Sequence, residues 1–130
     1  MILIKSIALV VLVSTIALSC KKANKPPTQL IITVTDQYLN PITNYPAGIQ
    51  VYLYTNKADF GSANKGIESV PTDKNGNATF PNLSPIQYYF WAQGACGSNS
   101  GSDTATSGAI PGGMTTVVST VFYPQNGCIP

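Results

Sequence analysis

Beyond residue 20 no stretch of this chain holds a 3.6-residue apolar period, whereas short runs alternate apolar and polar residues one by one. That pattern restricts the fold more than any other feature. Leu30, Ile32 and Val34 alternate with Ile31, Thr33 and Thr35, and Ile49, Val51 and Leu53 alternate with Gln50, Tyr52 and Tyr54. Residues 88–92 and the β-branched and aromatic run 117–123 read as further strands. Clusters of Gly, Pro, Asn and Asp separate these runs, which predicts an all-β domain of about seven strands folded as one sandwich. Residues 28–130 supply about 100 residues, enough for one core and not two.

Residues 1–19 must be set aside before that domain is read. Lys5 gives a short positive start, and residues 7–18 form an apolar run broken only by Ser14 and Thr15. Such a run is shorter than the about 20 residues a membrane span needs, and it has the charge and length of a signal peptide. It ends on Ala17-Leu18-Ser19-Cys20, which resembles the lipobox of bacterial lipoproteins, with Ala17 where Leu is usual. An ordinary secretory signal or anchor helix with an incidental cysteine is the alternative. The resemblance implies cleavage before Cys20 and acylation of that residue. More than one acyl chain holds a protein on a bilayer stably where a single chain does so only marginally. Residues 20–27 then form a lipidated cysteine and a lysine- and proline-bearing tether.

Three of the seven lysines, Lys21, Lys22 and Lys25, sit in that tether, and there is no arginine. The rest of the mature chain sets Lys57, Lys65 and Lys74 against five carboxylates and is slightly acidic. Nucleic acid is thereby excluded as an expected partner, because phosphate recognition needs a clustered basic face.

A second resemblance comes from the order of turns and strands. Residues 72–80, Thr-Asp-Lys-Asn-Gly-Asn-Ala-Thr-Phe, place Asp73 and Gly76 for a tight turn and Ala78 and Phe80 on one face of the strand that follows. Together with Ile32-Thr33-Val34-Thr35-Asp36, the turn at Asn40-Pro41 and residues 47–53, this is similar to the carboxypeptidase regulatory-like, or transthyretin-like, sandwich family over residues 30–92. Asn40 stands where a turn glycine is frequent, and residues 42–46 look like a short insertion. The resemblance implies a seven-stranded Greek-key sandwich serving as a non-catalytic module of secreted and surface proteins. A lipid-anchored copy also resembles small lipoproteins of Bacteroidetes-type bacteria. In those, acidic residues after the cysteine direct surface export; Lys21-Lys22-Ala23-Asn24 carries none, which points to the outer membrane with the domain on the periplasmic side.

No histidine is present, so the imidazole of a Ser or Cys triad and of most zinc and non-haem iron sites is missing. Hydroxyisourate hydrolases and intradiol dioxygenases, which share related sandwiches, rely on histidines. Adhesin sandwiches with a Lys–Asn isopeptide bond carry the lysine where Val34 stands here. The carboxylates at 36, 59, 68, 73 and 103 show no spacing that would pair two of them for glycoside hydrolysis. Asp73-Lys74-Asn75-Gly76-Asn77 looks superficially like a calcium loop, but its glycine comes at the fourth position where an EF-hand has it at the sixth, so a β-turn is expected. No enzyme activity, metal or cofactor is expected.

Cys96 and Cys128 remain once Cys20 is acylated, an even pair in an oxidising compartment. Bridged, they would pin the C-terminus to a strand end, worth roughly 3 to 4 kcal/mol by loop closure. The candidate recognition surface is aromatic. If Ile49, Val51 and Leu53 face inward, Tyr52 and Tyr54 face out; if Tyr88, Phe90 and Ala92 face inward, Tyr89 and Trp91 face out. A register one residue off reverses every assignment. Two functions follow: a lipid-anchored structural or protein-interaction module of the envelope, or a carbohydrate-binding lipoprotein stacking sugars on Tyr52, Tyr54, Tyr89 and Trp91. The expected partners are the membrane, through the lipid, and envelope proteins or glycans.

Overall fold

A computed structural model describes residues 25–43, 45, 48–99 and 105–125. The signal segment, Cys20 and most of the tether lie outside the described residues, as does Cys128. Nine strands are described: β1 (Gln29–Thr35), β2 (Gln50–Tyr54), β3 (Glu68–Pro71), β4 (Asn77–Phe80), β5 (Gln87–Gly94), β6 (Gly97–Ser98), β7 (Thr106–Ala109), β8 (Thr115–Val121) and β9 (Tyr123–Pro124). Two of them, β6 and β9, are only two residues long, which accounts for the excess over the seven expected.

The strands form two sheets packed face to face. The smaller runs β4-β1-β8 and the larger β3-β2-β5-β6-β9, with β7 also on β5. Strand β1 is central to the smaller sheet, antiparallel to β4 and parallel to β8. Its placement follows from its sequence. Leu30, Ile32 and Val34 are fully buried on one face, and a strand with such a row gains most where both edges are paired.

The core lies between the sheets. Leu30, Ile32, Val34, Ala78 and Phe80 from the smaller sheet meet Val51, Leu53, Tyr88, Phe90 and Ala92 from the larger, joined by Ile49, Ile110 and Phe122. Each large side chain moved fully out of water contributes about 1.5 to 3 kcal/mol. The alternation read from the sequence on β1, β2 and β5 therefore has the correct phase.

At one end of the sandwich the same turn occurs twice. In residues 36–40 and again in 73–77 an Asp Oδ1 accepts the N–H groups two and four residues on: Tyr38 at 2.8 Å and Asn40 at 2.9 Å, Asn75 at 2.8 Å and Asn77 at 3.0 Å. Each closes with the Asp N–H donating to the carbonyl of the Asn four residues on, Asn40 at 2.9 Å and Asn77 at 2.8 Å. The fourth position needs a left-handed backbone in both, φ +66° at Leu39 and +80° at Gly76. Gly76 has a second reason to be glycine, since a Cβ there would sit 2.8 Å from the Ile42 carbonyl oxygen. Asp73 Oδ1 accepts two turn amides, the hydrogen bonding of the β-turn expected here. The donated amide of Asn40, above all, holds the Asp36 carboxyl below its ordinary pKa.

Candidate recognition surface

Strands β2 and β5 pair so that Tyr52 lies opposite Trp91, Tyr54 opposite Tyr89 and Gln50 opposite Gln93. The antiparallel register thus gathers all four sequence-predicted aromatics on the outer face of the larger sheet. The four are not equally accessible, however. Tyr52 and Trp91 stack with ring centroids 5.5 Å apart and planes 29° apart, and both are half-buried, as is Tyr89. The indole Nε1 of Trp91 is enclosed and has no hydrogen-bond partner among the described residues.

Tyr54 departs from the sequence expectation. It points away from the core by alternation, yet its exposure is 0%. Two single-turn 3-10 helices, Lys57–Asp59 and Ala63–Lys65, fold the β2–β3 connection over it. The Asn56 side chain caps the first by accepting the Ala58 N–H at 3.0 Å. The Tyr54 hydroxyl donates to the Ser62 carbonyl at 3.0 Å, and its ring lies 6.3 Å from that of Phe60. A partly exposed ion pair, Lys65 Nζ to Asp59 Oδ1 at 3.4 Å, spans the same connection.

Burial raises the Tyr54 pKa to about 12, with smaller contributions from Tyr52 and Asp59. The unfolded chain ionises this phenol near 10, while the folded chain keeps it protonated. The stabilisation is therefore complete below pH 10 and declines as the pH rises towards 12. In a spectrophotometric titration, Tyr54→Phe is expected to remove a late-ionising phenolate component. It should also flatten the alkaline fall in stability above pH 10. A late component that persists in the variant would reassign it to another tyrosine.

One residue with a decisive role carries no signal in the sequence. Strand β7 pairs β5 along 87–89, and β6 pairs it at Gln93 and Gly94. Between them the Phe90 N–H still donates to the Ala105 carbonyl and the Ala92 carbonyl accepts the Asn99 N–H, both at 3.0 Å. The gap is therefore the Phe90 carbonyl and the Ala92 N–H, which are left to a side chain. The fully buried Asn99 side chain fills that gap. Its Oδ1 accepts the Ala92 N–H at 3.0 Å, and its Nδ2 donates to the Phe90 carbonyl at 3.2 Å. The same Nδ2 donates to Thr120 Oγ1 on β8 at 3.1 Å, which ties the two sheets. An amide side chain here stands in for a peptide group of the missing strand. Asn99 sits in a Gly- and Ser-rich stretch that reads as loop, and only the break in β5 pairing gives it this task.

Cys96 occupies the tight turn from β5 to β6, and its carbonyl accepts the Gln125 N–H at 2.7 Å. Strand β6 follows Cys96 directly.

No protein-family model matches the chain, and no curated protein matches it. Among solved structures it is similar to a DUF3823 family protein from Parabacteroides merdae ATCC 43184, at 21% identity and a TM-score of 0.51 over 78% of this chain and 48% of that one. It is also similar to BcpA, the major pilin subunit of Bacillus cereus, at 13% identity and a TM-score of 0.46 over 77% of this chain and 31% of that one. The chain spans about half the length of the first and about a third of the second. The first likeness shows a shared β-sandwich fold.

Proposed function

We propose that this protein is a lipid-anchored, non-catalytic β-sandwich of the cell envelope with a structural or protein-interaction role. The observation that carries the choice over sugar binding is the closure of the aromatic face. Tyr54 is fully buried beneath the 3-10 turns, and the Trp91 nitrogen is enclosed. A sugar platform offers open rings beside polar groups, whereas these rings pack against one another. Tyr52, Tyr89 and Trp91 keep partial exposure and are what a carbohydrate-binding function would have to use. The lack of histidine supports a non-catalytic role. The turn and strand order supports kinship with carboxypeptidase regulatory-like sandwiches.

The anchor is proposed at Cys20, at the end of the apolar run, with the domain on the periplasmic side of the outer membrane. A Cys96–Cys128 disulfide belongs to the same reading. It is supported by the Gln125 to Cys96 hydrogen bond, which brings the chain beside Cys96 three residues before Cys128. Mass spectrometry of the mature protein should find an acylated N-terminal Cys20, and Cys20→Ser should move the protein from the membrane to the soluble fraction. An unmodified N-terminus elsewhere would overturn the anchor. On a glycan array the wild-type chain should show no binding that Trp91→Ala abolishes; such binding would restore the sugar reading.

A further inference from the structure

Exposed strand edges invite pairing, and most edges of this sandwich are blunted against it. Strand β3 carries Glu68 and Pro71, β9 is two residues long and includes Pro124, and β7 is four residues with a left-handed Gly108 beside a bulge. Strand β4 is also four residues and runs into Pro81. Strand β8 has none of these guards. It is seven residues, Thr-Thr-Val-Val-Ser-Thr-Val, with no charge, proline, glycine or bulge.

Its hydrogen-bonding groups are aimed for a partner. The parallel ladder to β1 runs from the Gln29 N–H on the Met114 carbonyl to the Phe122 N–H on the Thr35 carbonyl, and so uses the even-numbered residues of β8. Alternation turns the N–H and C=O groups of Thr115, Val117, Ser119 and Val121 to the opposite edge, where no strand lies among the described residues. Val117 is 64% exposed. Thr116 and Val118, which face the core, are only half-buried, and no described strand continues the sheet beyond them.

We propose that this edge pairs with β8 of a second copy of the chain, antiparallel about a two-fold axis at Val118. Self-complementarity selects the occupant. The core-facing row Thr116-Val118-Thr120 is palindromic, so the axis sets Thr116 against the partner's Thr120 and Val118 against the partner's Val118. In the same register Val117 meets the partner's Ser119, and Thr115 meets the partner's Val121, through the groups left free by β1. No charge opposes the approach. The product is a continuous six-stranded sheet, β4-β1-β8 followed by its symmetric copy. This deepens the interaction role proposed above and rests on that reading for its place in the envelope, not for its geometry. One strand pair buries less than the roughly 800 Å² per partner of a stable complex, so the contact is weak in dilute solution and favoured where copies share a surface.

The test is oxidative crosslinking of the full chain, in mild detergent and in lipid vesicles, with linked peptides identified by mass spectrometry. Val118→Cys should form a disulfide between position 118 of two copies. Thr115→Cys alone should not, and Thr115→Cys with Val121→Cys should. Val117→Lys with Ser119→Lys sets like charges directly opposite one another on a surface the monomer leaves open. In the Val118→Cys background it should lower the crosslinked fraction about tenfold, equivalent to about 1.4 kcal/mol. No crosslink at 118, equal crosslinking of the lone Thr115→Cys variant, or indifference to the paired lysines would each overturn the proposal. Failure of the anchor has a different signature: crosslinking in detergent persists while the chain does not enter vesicles.

Discussion

Asn99→Ala is expected to lower the unfolding free energy by about 3 to 5 kcal/mol, a large share of the about 5 to 15 kcal/mol typical of a domain this size. The substitution removes the amide that satisfies the Ala92 N–H, the Phe90 carbonyl and Thr120 Oγ1, and leaves them in a site closed to solvent. Each stranded group costs about 1 to 3 kcal/mol, and the lost side-chain volume adds to that. Asn99→Asp keeps the shape but turns a donor into an acceptor facing the Phe90 carbonyl. It should be worse than wild type at neutral pH and recover in part as acid protonates the new carboxyl. Urea denaturation across pH reads both effects, and a loss under 1 kcal/mol for the alanine variant would mean that the gap in β5 is bridged by something else.

Phe122→Ala is expected to cost about 3 to 5 kcal/mol through the cavity it opens. Its ring is buried, meets Tyr45 edge-on at 5.7 Å, and fills the space left by two glycines of the β5–β6 hairpin. A Cβ on Gly94 would lie 2.9 Å from Phe122 Cζ and 3.1 Å from the Tyr45 ring, side-chain atoms only. One on Gly97 would also lie 2.4 Å from the Tyr123 carbonyl oxygen, which is backbone held by the β6–β9 pairing. Gly94→Ala should therefore cost about 1 to 3 kcal/mol and be relieved when combined with Phe122→Leu. Gly97→Ala should not be relieved. A double-mutant cycle measured by thermal unfolding separates the two, and additive costs at position 94 would show that the ring is not what excludes a side chain there.

Local chemistry determined a good deal of this protein. The period-two rows of β1, β2 and β5 fixed which residues enter the core, because a strand's side chains alternate by covalent geometry and one apolar row must leave water. The Asp73 to Asn77 turn was legible for a related reason: Asp, Gly and Asn at those offsets satisfy one another within five residues. So was the placing of Tyr52, Tyr89 and Trp91 on the outer face. Their accessibility was not, nor was that of Tyr54, whose cover is a connection that closes over it from residues 56–65. Alternation says which side of a sheet a residue takes and nothing about what else comes to lie there. Asn99 and the open edge of β8 belong to the same class. The gap that Asn99 fills exists because the local β5–β6 hairpin stops at Gln93 while β7 meets β5 only along 87–89, and β8 is an edge because β1 takes its other side; the β5–β7 and β1–β8 pairings join residues far apart in the chain. Such long-range contacts depend on how whole strands are ordered in the two sheets, and that order is decided only when the core closes.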